Sequence, residues 1–134
     1  MAQTITTGYA ALVEAARAQI KEVEAVEAVE MAKSEDVVLV DLRDPRELER
    51  VGRVPEAFRC PRGMLEFWID PASPYYKERF GEDKTFLFFC AGGLRSALAA
   101  EVAQRMGLKP VAHIIGGFKA WKDAGGHVEL PAKD

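Results

Sequence analysis

The chain has 134 residues, 49% of them hydrophobic and 29% charged, with a net charge of −3, which suits one soluble domain around a single core. That balance excludes a broad basic footprint for nucleic acid, and no apolar run approaches the roughly 18 residues a membrane span needs. Two cysteines, Cys60 and Cys90, are too few for a disulfide framework, and the N-terminus MAQTITTGYA has no leader-like basic or apolar region. A cytoplasmic location with reduced thiols is therefore expected.

Residues 1–19 read as an N-terminal helical extension, with Tyr9 to about Gln19 strongly helical and Thr7 as its expected N-cap. Residues 20–130 read as the main domain. Ile20–Val23 is a short strand candidate, and the Val-Glu-Ala echo over Ala25–Lys33 keeps one apolar side of a helix. Val37–Val40 predicts a buried strand. Asp44 then serves as N-cap, Pro45 as first helical residue and Glu47 as capping-box partner, with Gly52 closing the helix. Ala57–Cys60 is a weaker strand, Gly63–Ile69 short and helical or irregular, and Tyr75–Phe80 one or two helical turns. Thr85–Phe89 is the clearest strand and Ser96–Met106 the clearest helix; Val111–Ile115 and Phe118–Ala124 add a strand and a helix. Such alternation predicts an α/β fold, three layers with a central, mainly parallel sheet of about five strands. Ligands of such sheets sit at the carboxyl ends of the strands.

Cys90 lies at that end of the best strand, in Cys90-Ala91-Gly92-Gly93-Leu94-Arg95-Ser96. The following helix start offers unpaired N–H groups and the positive end of its dipole. Gly92 and Gly93 permit positive φ, so successive amides can turn inward as an anion nest. A cysteine facing such a nest is favoured as thiolate, and Arg95 adds a permanent positive charge. Alone, a cysteine after an apolar strand is more often a buried apolar residue. The whole arrangement is what a thiolate nucleophile acting on an anion requires.

The chain here resembles the rhodanese-like sulfurtransferases. Their loop, Cys-x-x-Gly-x-Arg-Ser, matches residues 90–96. Asp41-Leu-Arg43 with Glu47 matches a second signature, and Gly116-Gly117-Phe-Lys-Ala-Trp121 a third. Gly52-Arg53-Val54-Pro55-Glu56-Ala57 departs from the family's Gly-His-Ile-Pro-Gly-Ala. The resemblance implies a rhodanese-like fold over residues 20–130 and sulfur transfer through a Cys90 persulfide. A small-molecule donor such as thiosulfate, or a protein persulfide, supplies the sulfur, and a thiol or cyanide accepts it, with no metal or organic cofactor. It also implies that Asp41 and Arg43 brace the active loop. Arginine-loop phosphatases and arsenate reductases share the fold but place five residues between cysteine and arginine; here there are four. A non-catalytic binding module is a further alternative, although inactive members typically lose the cysteine.

Arg62, just after the strand ending near Cys60, either adds positive charge at the same end of the sheet or is a solvated surface arginine. Cys60 is either a resolving thiol or a small buried apolar residue. His113 and His127 share no metal-ligand spacing with the cysteines, and His113 is expected to be hydrogen-bonded structure. Trp121 is expected in the core. Phe67, Trp68, Tyr75 and Tyr76 either wall the site or cover a sheet edge.

Overall fold

The computed structural model describes residues 2–132. In chain order it contains α1 (Tyr9–Arg17), β1 (Lys21–Val23), α2 (Ala25–Met31), β2 (Val37–Asp41), α3 (Pro45–Val51) and β3 (Phe58–Arg59). After these come α4 (Leu65–Ile69), β4 (Thr85–Phe89), α5 (Leu94–Arg105), β5 (Val111–Ile114) and α6 (Gly117–Asp123), with 3-10 turns at Arg62–Met64 and Glu78–Gly81. All strand pairs are parallel, in the order β1-β5-β4-β2-β3. No helix among the described residues is long and apolar enough to cross a membrane.

The central strands are apolar on both sides because both faces are covered. On one face Val38, Val40, Phe86, Phe88 and Val111 meet the alanines of α5 and Leu65 and Ile69 of α4. On the other, Leu39, Leu87, Phe89 and Ile114 meet α2 and α6 through Ala28, Phe118 and Trp121. The expected α/β/α layering is thus present. Each buried phenylalanine of β4 contributes roughly 1.5–3 kcal/mol of burial energy. Period-two alternation continues past β4, so Cys90 falls on the face of Phe86 and Phe88, toward α5.

Asp44 accepts from the Arg46 N–H at 2.8 Å and Pro45 opens α3, as its sequence predicts, and Gly52 closes it at φ 100°. Two capping expectations fail. The residue before α1 is Gly8, not Thr7, and it makes no side-chain cap. Glu47 turns away from its helix start to an arginine of α5. The α1 helix buries Val13 and Ala16 and lies against α5, so the extension rests on the domain itself. Trp68 packs on Phe58 of the edge strand β3, as an edge cover would, whereas Phe67 and Tyr75 pair edge-on with each other at the surface.

Candidate functional site

The Cys90 loop is short because β4 ends at Phe89 and α5 begins at Leu94, two residues before the expected start. Gly93 makes this possible. It alone of the two loop glycines takes a positive φ, 99°, and it is the residue before the helix. Its N–H, 3.2 Å from Cys90 Sγ, and that of Ser96, at 3.4 Å, both donate to the sulfur. Ser96 Oγ stands 3.6 Å from the same sulfur. Cys90 is buried, so these amides act where water screens little. The arrangement can hold negative charge on that sulfur or on an atom bound to it.

The loop's own carbonyls are held by the next βα turn. The Phe118 N–H donates to the Cys90 carbonyl at 2.7 Å. Gly117, at φ 61°, lies so close that a Cβ there would stand 2.7 Å from the Ala91 carbonyl oxygen and closer still to that of Cys90. Gly117→Ala is expected to destabilise the protein by at least about 1–2 kcal/mol from left-handed backbone alone, read as a lower urea midpoint.

Arg95 grips Glu47 with both ends of its fork, at 3.1 and 3.3 Å. Burial opposes the charge on Arg95, and the Glu47 carboxylate and the Cys90 sulfur outweigh it. Its charge is therefore shared with Glu47, whose pairing with Arg95 capping logic did not reveal.

Asp41 and Arg43 form a wholly buried pair. Arg43 Nε and Nη2 donate to the two carboxylate oxygens at 3.0 and 2.8 Å, and Nη2 also reaches the Gly52 carbonyl at 3.2 Å. The guanidinium lies 4.0 Å from the centre of the Phe118 ring. Because Phe118 carries the N–H on the Cys90 carbonyl, the pair supports the loop through one intermediate. Among the described residues, Arg43 Nη1 is the one buried side-chain polar atom without a partner.

A cleft of about 500 Å³ opens beside the loop, lined by Ala91 and Gly92, Arg43 and Glu47, and by Arg50, Lys119 and Lys122 of α3 and α6. Arg62 is not part of it. Its side chain pairs with Glu66 at 2.9 Å and faces a separate groove between α1 and α5, because the turn after β3 swings it to the other face of the sheet. The exposed basic side chains that line the cleft are instead Arg50, Lys119 and Lys122, of which Lys119 is paired with Asp123 at 3.1 Å. Arg62→Ala is accordingly expected to leave reaction of Cys90 with an anionic thiol reagent within about two-fold of the parent rate. Cys60 is completely buried within the core, where burial pushes its thiol up to about 12, the setting of a small apolar residue.

His113 is hydrogen-bonded within β5, as expected, and its partners are what the sequence did not reveal. Parallel pairing sets it opposite Phe88 on one side and Glu22 on the other. Its Nδ1 is 2.9 Å from Ser96 Oγ and its Nε2 is 2.9 Å from Glu22 Oε2, which also accepts from Arg17 Nε at 2.7 Å. A histidine inside an otherwise apolar strand was the available signal; its partners depend on strand order.

A family model, the rhodanese-like domain, matches residues 24–124. Thiosulfate sulfurtransferase GlpE of Coxiella burnetii (strain RSA 331 / Henzerling II) is 29% identical over 102 residues, 76% of this chain and 87% of that protein. A solved structure from Rhodopseudomonas palustris CGA009, described as a protein of unknown function and possible tyrosine phosphatase, is 61% identical. It covers 96% of this chain and 99% of its own, with a TM-score of 0.92. The polysulfide-sulfur transferase homodimer of Wolinella succinogenes is 27% identical, covering 90% of this chain and 86% of its own, with a TM-score of 0.68.

Proposed function

The chain belongs to the rhodanese-like domain family, and from that premise we propose that it is a sulfurtransferase that carries sulfur on Cys90. The observation that carries the proposal is the Cys90 sulfur under the Gly93 and Ser96 amides in a four-residue loop. Relatives named as sulfurtransferases support the class.

The reaction has two halves. The Cys90 thiolate attacks the outer sulfur of thiosulfate or of another sulfane donor. With thiosulfate, the S–S bond of the donor breaks, sulfite leaves with its electron pair, and Cys90 persulfide anion remains. The loop amides, fixed before the reaction, stabilise that charge. A thiolate or cyanide then attacks the terminal sulfur, forming a new persulfide or thiocyanate and returning the Cys90 thiolate. Donor and acceptor are a small molecule or a protein. Arg50, Lys119 and Lys122 offer an anionic donor its first contact. A cytoplasmic, reducing setting would keep both thiols free.

The 61% identical relative described as a possible tyrosine phosphatase favours a second reading, phosphoryl transfer through Cys90. Four residues between Cys90 and Arg95 make a smaller cradle than the five of arginine-loop phosphatases. Arg95 is also engaged by Glu47, which leaves it less free to clamp a phosphate. Turnover of thiosulfate and cyanide to thiocyanate, with the parallel-line kinetics of a covalent carrier, is the expected result. Hydrolysis of an aryl phosphate dependent on Cys90, without thiocyanate formation, would replace this reading by the second.

A further inference from the structure

We propose that His113, held by Glu22 and acting through Ser96, is the proton acceptor for the Cys90 thiol, so that the segment before the family's matched region completes the site. The inference deepens the Cys90 sulfur-carrier reading and rests on it. Glu22 and Arg17 precede residue 24, where the family match begins.

The hydrogen-bond directions follow from the donors. An ionised carboxylate only accepts, so His113 Nε2 carries the hydrogen toward Glu22 Oε2. Neutral His113 then accepts at Nδ1, and the hydrogen between it and Ser96 belongs to the serine hydroxyl. Ser96 Oγ thus turns a lone pair to Cys90, 3.6 Å away. The chain reads Cys90 S–H to Ser96 O–H to His113 Nδ1. When the thiol proton moves to Ser96 Oγ, the serine proton moves to Nδ1. Thiolate and imidazolium form together, with no proton lost to solvent.

The surroundings suit both states. Arg17 holds Glu22 below the usual carboxylate range against partial burial, with His113 adding to the effect. Burial lowers His113 below its ordinary value, Arg17 lowers it further, and Glu22 opposes both. The imidazole is therefore neutral at rest and supported by a carboxylate once it gains a proton. The other charges near Cys90 are Arg95, matched by Glu47 across α3 and α5, and Arg43, matched by Asp41 of β2. Arginines keep their charge throughout the neutral range, so His113 is the group hydrogen-bonded to Ser96 that can take up a proton. A cavity of about 90 Å³, lined by Arg17, Glu22, Gly92, Gly93 and His113, reaches the outer end of the chain. The α1 helix closes its far side through Val13.

The test is the rate of Cys90 alkylation by iodoacetamide between about pH 5 and pH 9, in a Cys60→Ala background, beside sulfur loading from thiosulfate. His113→Asn keeps an acceptor for Ser96 but cannot take the proton. It should move the acid limb of the alkylation profile up by about one pH unit, a tenfold slower reaction at a fixed pH on that limb. Glu22→Gln, at a partly exposed position, should move the limb the same way by a smaller amount. Ser96→Ala combined with His113→Asn should move it no further than Ser96→Ala alone. A purely structural role predicts altered stability with the profile unmoved. An unmoved limb in Glu22→Gln, or in folded His113→Asn, overturns the relay. Alkylation does not depend on the sulfur donor: a moved limb without sulfur loading keeps the relay and removes the sulfurtransferase reading, whereas loading with an unmoved limb does the reverse.

Discussion

Cys90→Ser is expected to abolish thiocyanate formation, a loss of at least about 10³-fold, because a hydroxyl in the same cradle cannot hold a sulfane sulfur. Serine is close to cysteine in size and still accepts from the Gly93 and Ser96 amides, so the fold should survive and the loss can be assigned to chemistry. Cys60→Ala should retain turnover, since Cys60 is buried with its thiol pushed up to about 12. A Cys90→Ser protein that keeps a tenth or more of the parent rate would contradict the role of Cys90.

Arg43→Met is expected to cost about 3–5 kcal/mol, because it strands a buried carboxylate. Asp41 would keep one backbone partner, the Arg43 N–H at 3.0 Å, in place of a two-pronged guanidinium. Loss on that scale is a large share of the roughly 5–15 kcal/mol that holds a domain of this kind together. Urea unfolding should show a strongly lowered midpoint, and Asp41→Ala should do the same by stranding the guanidinium. The double replacement Asp41→Leu with Arg43→Met should recover much of the loss, since an apolar pair pays no desolvation. If either single variant loses less than about 1 kcal/mol, the pair is not the brace that its burial implies. Sulfur transfer should fall in the rescued double variant too, because the Arg43 face on Phe118, and through it the hold on the Cys90 carbonyl, is gone.

The layered fold could be read from alternating apolar runs and punctuation by glycine and proline, and the loop from the seam at Cys90. Strand order could not. Local patterning says that Val111–Ile115 is a strand but not that it lies between β1 and β4, which is what brings Glu22, His113 and Ser96 into line. Arg62 shows the same limit: following a strand does not fix the face to which a turn delivers a side chain. Glu47 has an adequate local role in sequence terms, and a long-range ion pair took precedence. Asp44 and Gly52, with partners within four residues, were placed correctly, whereas the partners of His113 and the long-range partner of Glu47 depend on how distant segments come together.

The central claim, that Cys90 carries sulfur, is tested most directly by intact-mass measurement after incubation with thiosulfate. One added sulfur atom, absent in Cys90→Ser and released by cyanide as thiocyanate, is the predicted result. An unchanged mass with thiosulfate and with persulfide donors alike, in protein whose Cys90 still alkylates, would contradict it.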